Sequence, residues 1–404
     1  MNILFLAYAS IRSKILHSSL NIIAFALGIS LLTAALLLSA AIQDGITRNS
    51  YGIDVVVGAK GGATQLVLST IYHSDIPNGN IEMSDYEALL KNQQIKEAIP
   101  MAIGDNFRGW RIIGTTPAYL TLYHASIREG KTFEEPFEAV VGSKTNLKIG
   151  QEFAPMHGFS AESGDVHDSH LYKVVGVLKQ SGTVLDKLII TSFQSIQESH
   201  EHDHEHGSTH DEHEEESDPE HQITAVLIKT KSPIAKMNLP REINQSTNLQ
   251  AVSPSYQMAN LLKSFGFGRD VFVLIAFGTI SLSTLMLLSN LASSLANRRY
   301  DLAVLRILGA KRHQLLGVVI FEGVMLSIIG SITGLLLGRL AAASLVISVP
   351  NLGVLVNPNS FFSLGMYDLG ILAIGTLAGV LGGIVPAISL ARSDLARILA
   401  KGKS

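Results

Sequence analysis

The sequence predicts an α-helical membrane protein with four transmembrane helices arranged 1+3, and a large mixed α/β domain inserted between the first and second. Three observations predict it. The 404 residues are 47% hydrophobic and only 16% charged, against about 25% charged in a typical soluble chain. Four runs reach the roughly 20 mostly apolar residues that cross a hydrocarbon core: residues 20–42, 271–296, 315–347 and 369–390. Between the first two runs the composition is that of an ordinary soluble domain. The expected divisions are therefore 1–42 (an N-terminal interfacial helix and the first span), 43–270 (the external domain) and 271–404 (a three-helix module).

Residues 3–16 carry apolar side chains at helical spacing with Arg12 and Lys14 near their end. This suits an amphipathic helix lying at the membrane surface. The run at 20–42 exceeds the 7–15 apolar residues of a cleavable signal, so it is read as a true span. Lys and Arg in the short flanking segments set orientation. Arg12 and Lys14 precede the first span. Arg298, Arg299, Arg306, Lys311 and Arg312 lie between the second and third. Arg392, Arg397, Lys401 and Lys403 follow the fourth, while 348–368 has no Lys or Arg. Both termini and the 297–314 connection are expected in the cytoplasm, with 43–270 outside.

The 297–314 connection reads as a short cytoplasmic helix offered to a partner. Leu302, Leu305 and Leu308 recur close to one helical face. Gly309 supplies a C-terminal stop, and Arg298, Arg299 and Asp301 crowd the other end. The plainer reading is a helix resting on anionic membrane lipid. In the third span, Gly330, Gly334 and Gly338 form a double GxxxG, a face where another helix backbone approaches closely. Glu322, near the cytoplasmic end, is expected to pair with Arg298, Arg312 or the basic N-terminal segment. Arg339, near the outer end, is expected to snorkel.

In the external domain, 52–58, 139–141, 172–178, 188–191 and 223–230 read as strands of a mostly antiparallel sheet. Residues 84–92 read as a helix with Ser84 as N-cap and Glu87 as its partner. No catalytic constellation emerges, so no enzyme is expected. Gly130-Lys131-Thr132 resembles the tail of a phosphate-binding loop, but the motif needs Gly at 125 and Ala stands there. The chain has no Cys, which excludes disulfides and thiolate sites. A net charge of −3 gives no case for nucleic acid.

Residues 198–221 hold His200, His202, His204, His206, His210, His213 and His221 among many carboxylates. No packed core forms from such a composition, so a disordered or weakly ordered loop is expected. Seven of the chain's 14 histidines fall in this window. Imidazole with carboxylate suits Zn or another divalent metal, as cargo, regulator or buffered ion. His167 and His170, with Asp165 and Asp168, are weaker candidates for the same metal-attracting surface.

Taken together, these segments resemble the permease subunits of ABC transporters of the MacB/LolC–LolE/FtsX type. The resemblance is strongest over 297–340. There an Arg298-Arg299-x-Asp301 start, the Arg306-to-Gly309-Ala310 turn and the Lys311-Arg312 pair precede a helix bearing Glu322, Gly330 and Gly334. VVGSKTNLKIGQEF and YKVVGVLKQSGTVLDKLIIT are similar to strands of the family's periplasmic domain. The resemblance implies a non-catalytic subunit in the bacterial inner membrane that transmits mechanical work. Its implied partners are a separate cytoplasmic ABC ATPase, seated on the 297–314 coupling helix, and a second permease copy or paralogue. A periplasmic or lipoprotein partner is also implied. The alternatives are a scaffold controlling a periplasmic hydrolase or sensor, and a component for lipoprotein, peptide or drug export or extraction. The His-rich tract is outside the family pattern.

Overall fold

The computed structural model describes residues 3–158, 171–205, 222–297, 304, 307, 309, 311–349, 353 and 356–391. In chain order the helices among them are α1 (Ile3–Ser13), α2 (Ile15–Asn49), α3 (Ala63–Thr70), α4 (Met83–Leu90) and α5 (Ala118–Leu122), then α6 (Phe193–Glu205), α7 (Pro233–Ser246), α8 (Pro254–Asn297), α9 (Arg312–Ser348) and α10 (Met366–Ala391). The chain divides into two compact units. One comprises Met1–Ala41, Ser264–Val349 and Pro358–Ser404. The other comprises Ile42–Lys263 and Pro350–Asn357.

The first unit is helical. Four helices, α2, α8, α9 and α10, are long and apolar enough to cross a membrane. Phe25, Ile29 and Leu32 of α2 meet Ala276, Ile280 and Leu287 of α8, Leu326 and Leu335 of α9 and Ala378 of α10 in a shared core. Other large apolar side chains of the same helices, such as Leu27, Leu274, Leu336 and Leu381, point outward, as lipid contact requires. Helix α1 is separate from α2, with a break at Lys14, and buries Ala7 and Ser10.

The second unit is built on an 11-stranded sheet in the order β13-β1-β12-β3-β4-β10-β6-β9-β5, with β7 on β9 and β8 on β3. The ranges are β1 Val55–Ala59, β2 Ile81–Glu82, β3 Ile95–Phe107, β4 Trp110–Thr115, β5 Ile127–Gly130, β6 Glu138–Val141 and β7 Glu152–Phe153, followed by β8 Met156–His157, β9 Tyr172–Leu178, β10 Leu188–Ser192, β11 Gln222–Ile223, β12 Ala225–Thr230 and β13 Leu249–Val252. Most pairs are antiparallel; β10–β4 and β6–β9 are parallel. Strand β2 pairs with β11 apart from the main sheet.

Both sheet faces are covered. Val56 joins one core with Leu66 of α3, Tyr119 of α5 and Met258 of α8. Its neighbours Val55 and Val57 point the other way, towards Leu89 of α4 and Leu239 of α7. Along β4 the same alternation sends Ile113 to the first core and Ile112 to a third, with Ile196 of α6. Two covered faces explain why these strands read as continuous apolar runs rather than alternating ones.

Two expectations for this unit are corrected. Ser84 does not cap α4. The helix begins at Met83 with Glu82 as the extended N-cap residue, because Glu82 is still paired to Gln222 as a strand. Ser84 instead donates to the Glu82 carboxylate at 2.9 Å. The His-rich tract is not irregular from its start: α6 runs through Glu205, so 198–205 is helical. Residues 206–221 lie outside the described residues.

Candidate functional site

In the 297–314 connection, Arg298, Arg299, Asp301, Leu302, Leu305, Arg306 and Leu308 lie outside the described residues. Helix α8 ends at Asn297, and Val304 and Ile307 are helical. Gly309 has φ +98°, the left-handed region that favours glycine. Helix α9 then starts at Arg312, with the Gln314 side chain accepting from the Lys311 amide at 3.0 Å.

The three glycines of α9 all face α2. A Cβ on Gly330 would lie 2.6 Å from Phe25 Cβ. One on Gly334 would meet Ala26 O at 2.6 Å, and one on Gly338 Ser30 O at 2.6 Å. Glu322 accepts from Ser10 Oγ of α1 at 2.9 Å, so α1 and α2 both dock on α9. A second small-residue face was legible as Gly375-x3-Gly379-x3-Gly383 but not singled out. A Cβ on Gly375 or Gly379 would collide with Ser331 or Ser327 of α9, and one on Gly383 would sit 3.0 Å from Ile320 Cα.

Arg339 does not snorkel. It is 4% exposed and pairs with Asp368, in the first turn of α10, at 2.6 Å. It also donates to Phe361 O and, at 3.0 Å, to Ser363 O. Asp368 in turn accepts from the Gly365 amide at 2.8 Å. The carbonyls of the 361–363 turn and a carboxylate together outcompete the water that a snorkelling guanidinium would seek.

A polar constellation in the external unit surrounds the end of α2. The last carbonyls of a helix lack partners within it. Here Tyr72 donates to Ile46 O at 3.0 Å and Tyr123 to Asn49 O at 2.9 Å. The Asn49 side chain accepts from the Val184 amide at 2.9 Å. Arg48, ion-paired with Asp44, donates to Gly182 O at 3.1 Å. Burial pushes the Tyr72 phenol up to about 12 and the Tyr123 phenol well above its usual value, with Tyr119 contributing. Both hydroxyls therefore stay protonated and remain donors. Tyr119 packs edge-on against Tyr123 at 5.2 Å and bonds the buried His73 ring at 3.2 Å. Burial, then the nearby Arg111 charge, lowers His73 to about 3. Beside the clamp opens a cleft of about 390 Å³, lined by Asp44, Arg48, Tyr51, His124, Ser181 and Thr183. Sequence reasoning missed this clamp. Its signal was Arg48 and Asn49 on the helical continuation of an apolar span, with Tyr119 and Tyr123 one helical turn apart elsewhere.

Helix α6 carries His200, His202 and His204 in its last turns; His206, His210, His213 and His221 fall outside the described residues, as do His167 and His170. Among the described residues, no group of three or more His, Cys, Asp or Glu is arranged to hold a metal. The base of α6 is fixed: Ser195 Oγ accepts from the Phe137 amide at 2.8 Å, and Ser199 Oγ lies 3.2 Å from Tyr172 OH.

The MacB-like periplasmic core domain family matches residues 18–246. The family described as FtsX-like permease, C-terminal, matches residues 273–395. An uncharacterised ABC transporter permease of Methanocaldococcus jannaschii is 24% identical over 228 residues, which is 55% of this chain and 53% of that one. The chain thus matches about half the length of that relative. The crystal structure of the periplasmic region of MacB from Actinobacillus actinomycetemcomitans is similar over 54% of this chain and 97% of that one, at 12% identity and a TM-score of 0.34. With one family spanning the first span and external domain and the other the three-helix module, the chain belongs to the ABC transporter permeases of the MacB/FtsX type.

Proposed function

We propose that this chain is the transmembrane subunit through which ATP hydrolysis on a separate ATPase is converted into movement of the external domain. The observation that carries the reading is the clamp on the end of α2. A helix meant only to tether a domain needs no such fixation. Here its last turns are bonded by one buried and one half-buried phenol, an asparagine amide and an arginine, each bond adding about 1 kcal/mol. A push on α2 is thereby delivered to the sheet rather than lost in a hinge. The polar chemistry of the spans favours the same reading. Arg339 and Asp368 engage each other instead of contributing to a row of exchangeable groups along a path. In this reading the termini and the 297–314 connection are cytoplasmic, the ATPase seats on that connection, and two permease chains work as a pair. The cargo or target is then handled outside the bilayer, by export, extraction or control of an external partner.

The test is to co-purify the full chain with its ATPase and measure ATP turnover and nucleotide-dependent amide exchange in the external domain. Leu305→Asp and Arg306→Glu are expected to leave the chain in the membrane while abolishing the nucleotide-dependent change. Unchanged exchange responses in both variants would return 297–314 to being a surface helix on lipid.

A second reading, that the His-rich tract binds divalent metal, is favoured by the helicity of α6. His200 and His204 are four residues apart in the sequence of α6, the spacing at which other helices bring two histidines to one zinc ion. Zinc titration of the full chain should show tighter sites lost in the His200→Ala/His204→Ala double variant. Equal binding by both proteins would remove the α6 pair from the reading.

A further inference from the structure

The loop Ser181–Lys187, between β9 and β10, is held in one shape by its own Asp186. That carboxylate accepts from the Ser181 amide at 2.8 Å, the Gly182 amide at 2.9 Å and Ser181 Oγ at 3.1 Å. Gly182 adopts φ +70°, and the Asp186 carbonyl accepts from the Lys144 amide at 2.8 Å. One side of this loop receives the end of α2, through Arg48 to Gly182 O and the Val184 amide to Asn49. Its last residue reaches elsewhere: Lys187 Nζ donates to Gly353 O at 2.7 Å. Gly353 belongs to the connection between α9 and α10, where Val356 is also buried. A single braced loop therefore bonds both the end of α2 and Gly353 of the α9–α10 connection.

Lys187 is an unfavourable choice for stability alone. Burial, and next the Lys144 charge, lower its pKa, so both disfavour the ammonium. A methionine of similar length would fill the same half-buried space without that opposition. What the ammonium alone supplies is a charge-assisted donor to the α9–α10 connection.

We propose that Lys187 is a positioning residue that latches the α9–α10 connection to the loop holding α2, and that this latch opens and closes with the nucleotide cycle. The proposal rests on the mechanical reading above and adds a second point of control to it. A charge-assisted bond suits that use, because it breaks without unfolding either partner.

The absence of cysteine makes the test selective. Gly353→Cys is introduced into the full chain, in complex with its ATPase in nanodiscs. A short reagent carrying a maleimide and a succinimidyl ester then joins the introduced thiol to the native Lys187 amine, with the site assigned by mass spectrometry. The cross-link is expected to form at least tenfold more, to order of magnitude, without nucleotide than with the ATPase trapped by vanadate. In parallel, Lys187→Met should remove the nucleotide-dependent change in amide exchange at 46–50, and Lys187→Arg should keep it. Trp110 fluorescence confirms the fold of both variants. Equal cross-linking in both states, or a Lys187→Met response matching the unmodified chain, overturns the latch. If the unmodified chain itself shows no nucleotide response, the mechanical reading fails and the latch falls with it.

Discussion

His73 shows how one buried residue ties the external domain to pH. Its ring is held neutral by burial and by Arg111, with a folded-state value of about 3 against 6.5 for the exposed residue. A lowered value means that the unfolded chain takes up the proton first. Stability is therefore full above about pH 6.5 and falls as pH drops towards 3, by up to about 1.4 kcal/mol per pH unit from this group. His73 has φ +50°, which Asn tolerates better than most residues. His73→Asn should flatten the pH dependence of urea unfolding between pH 6.5 and 5, followed by the single Trp110. The slope should remain if His73 were exposed in the folded protein. Arg339 gives a second case at this scale. Arg339→Met leaves the Asp368 carboxylate buried without its partner, and loss of about 3–5 kcal/mol is expected. Adding Asp368→Leu should restore part of that loss and not all, because the Phe361 and Ser363 carbonyls still lose their donor. Thermal unfolding of the purified variants, ranked against the parent, checks the order.

Among the elements, the α2–α9 contact depends on having glycine at Gly330, Gly334 and Gly338. Even a methyl group on Gly334 would press on the Ala26 carbonyl and Ile29, and backbone cannot move aside as a flexible side chain can. Gly334→Ala should lower the melting temperature in detergent, with an overpacking cost of about 1–3 kcal/mol. Gly278→Ala, on α8 with nothing within 4 Å, should leave it unchanged or raise it slightly. Equal effects at the two positions would remove the packing argument. This contact was legible because GxxxG is a local pattern with one geometric meaning. Strands β1, β6, β9, β10 and β12 were legible too, from β-branched runs at 55–57 and 226–228 and their like. Strand β3 was not. Its sequence, IKEAIPMAIGDNF, carries Pro100 and Gly104, which argue locally against a strand. Tertiary pairing overrides them: β3 bonds β12 with its first half and β4 with its second, shifting register between Ile103 and Asp105. The tyrosine clamp escaped for a related reason. It joins residues 46–49, 72, 123 and 182–184, which no local pattern links. The ion pair between Arg339 and Asp368 spans two spans in the same way.

For the whole molecule, the mechanical reading proposed above turns on α2 being a single helix from Ile15 to Asn49. Its residues to Ala41 belong to the membrane unit and those from Ile42 to the external unit. At 1.5 Å per residue, an unbroken helix carries displacement along its axis with little loss, whereas a flexible linker would absorb it. Two insertions after Gln43 separate connection from transmission. Gly-Gly-Ser keeps every span, every clamp residue and chain continuity but allows a hinge to form. Four alanines add about one turn and preserve helicity. The glycine insertion is expected to leave ATP turnover by the complex running while erasing the nucleotide-dependent change in amide exchange at 181–187. The alanine insertion should retain much of that change, because it lengthens the rod and rotates it by little. If both insertions retain the full change, force reaches the domain by another route, of which α8, seated in the domain core through Met258, is the structural alternative. If both abolish it, register rather than rigidity governs the coupling, and the clamp carbonyls at Ile46 and Asn49 are where that register is read.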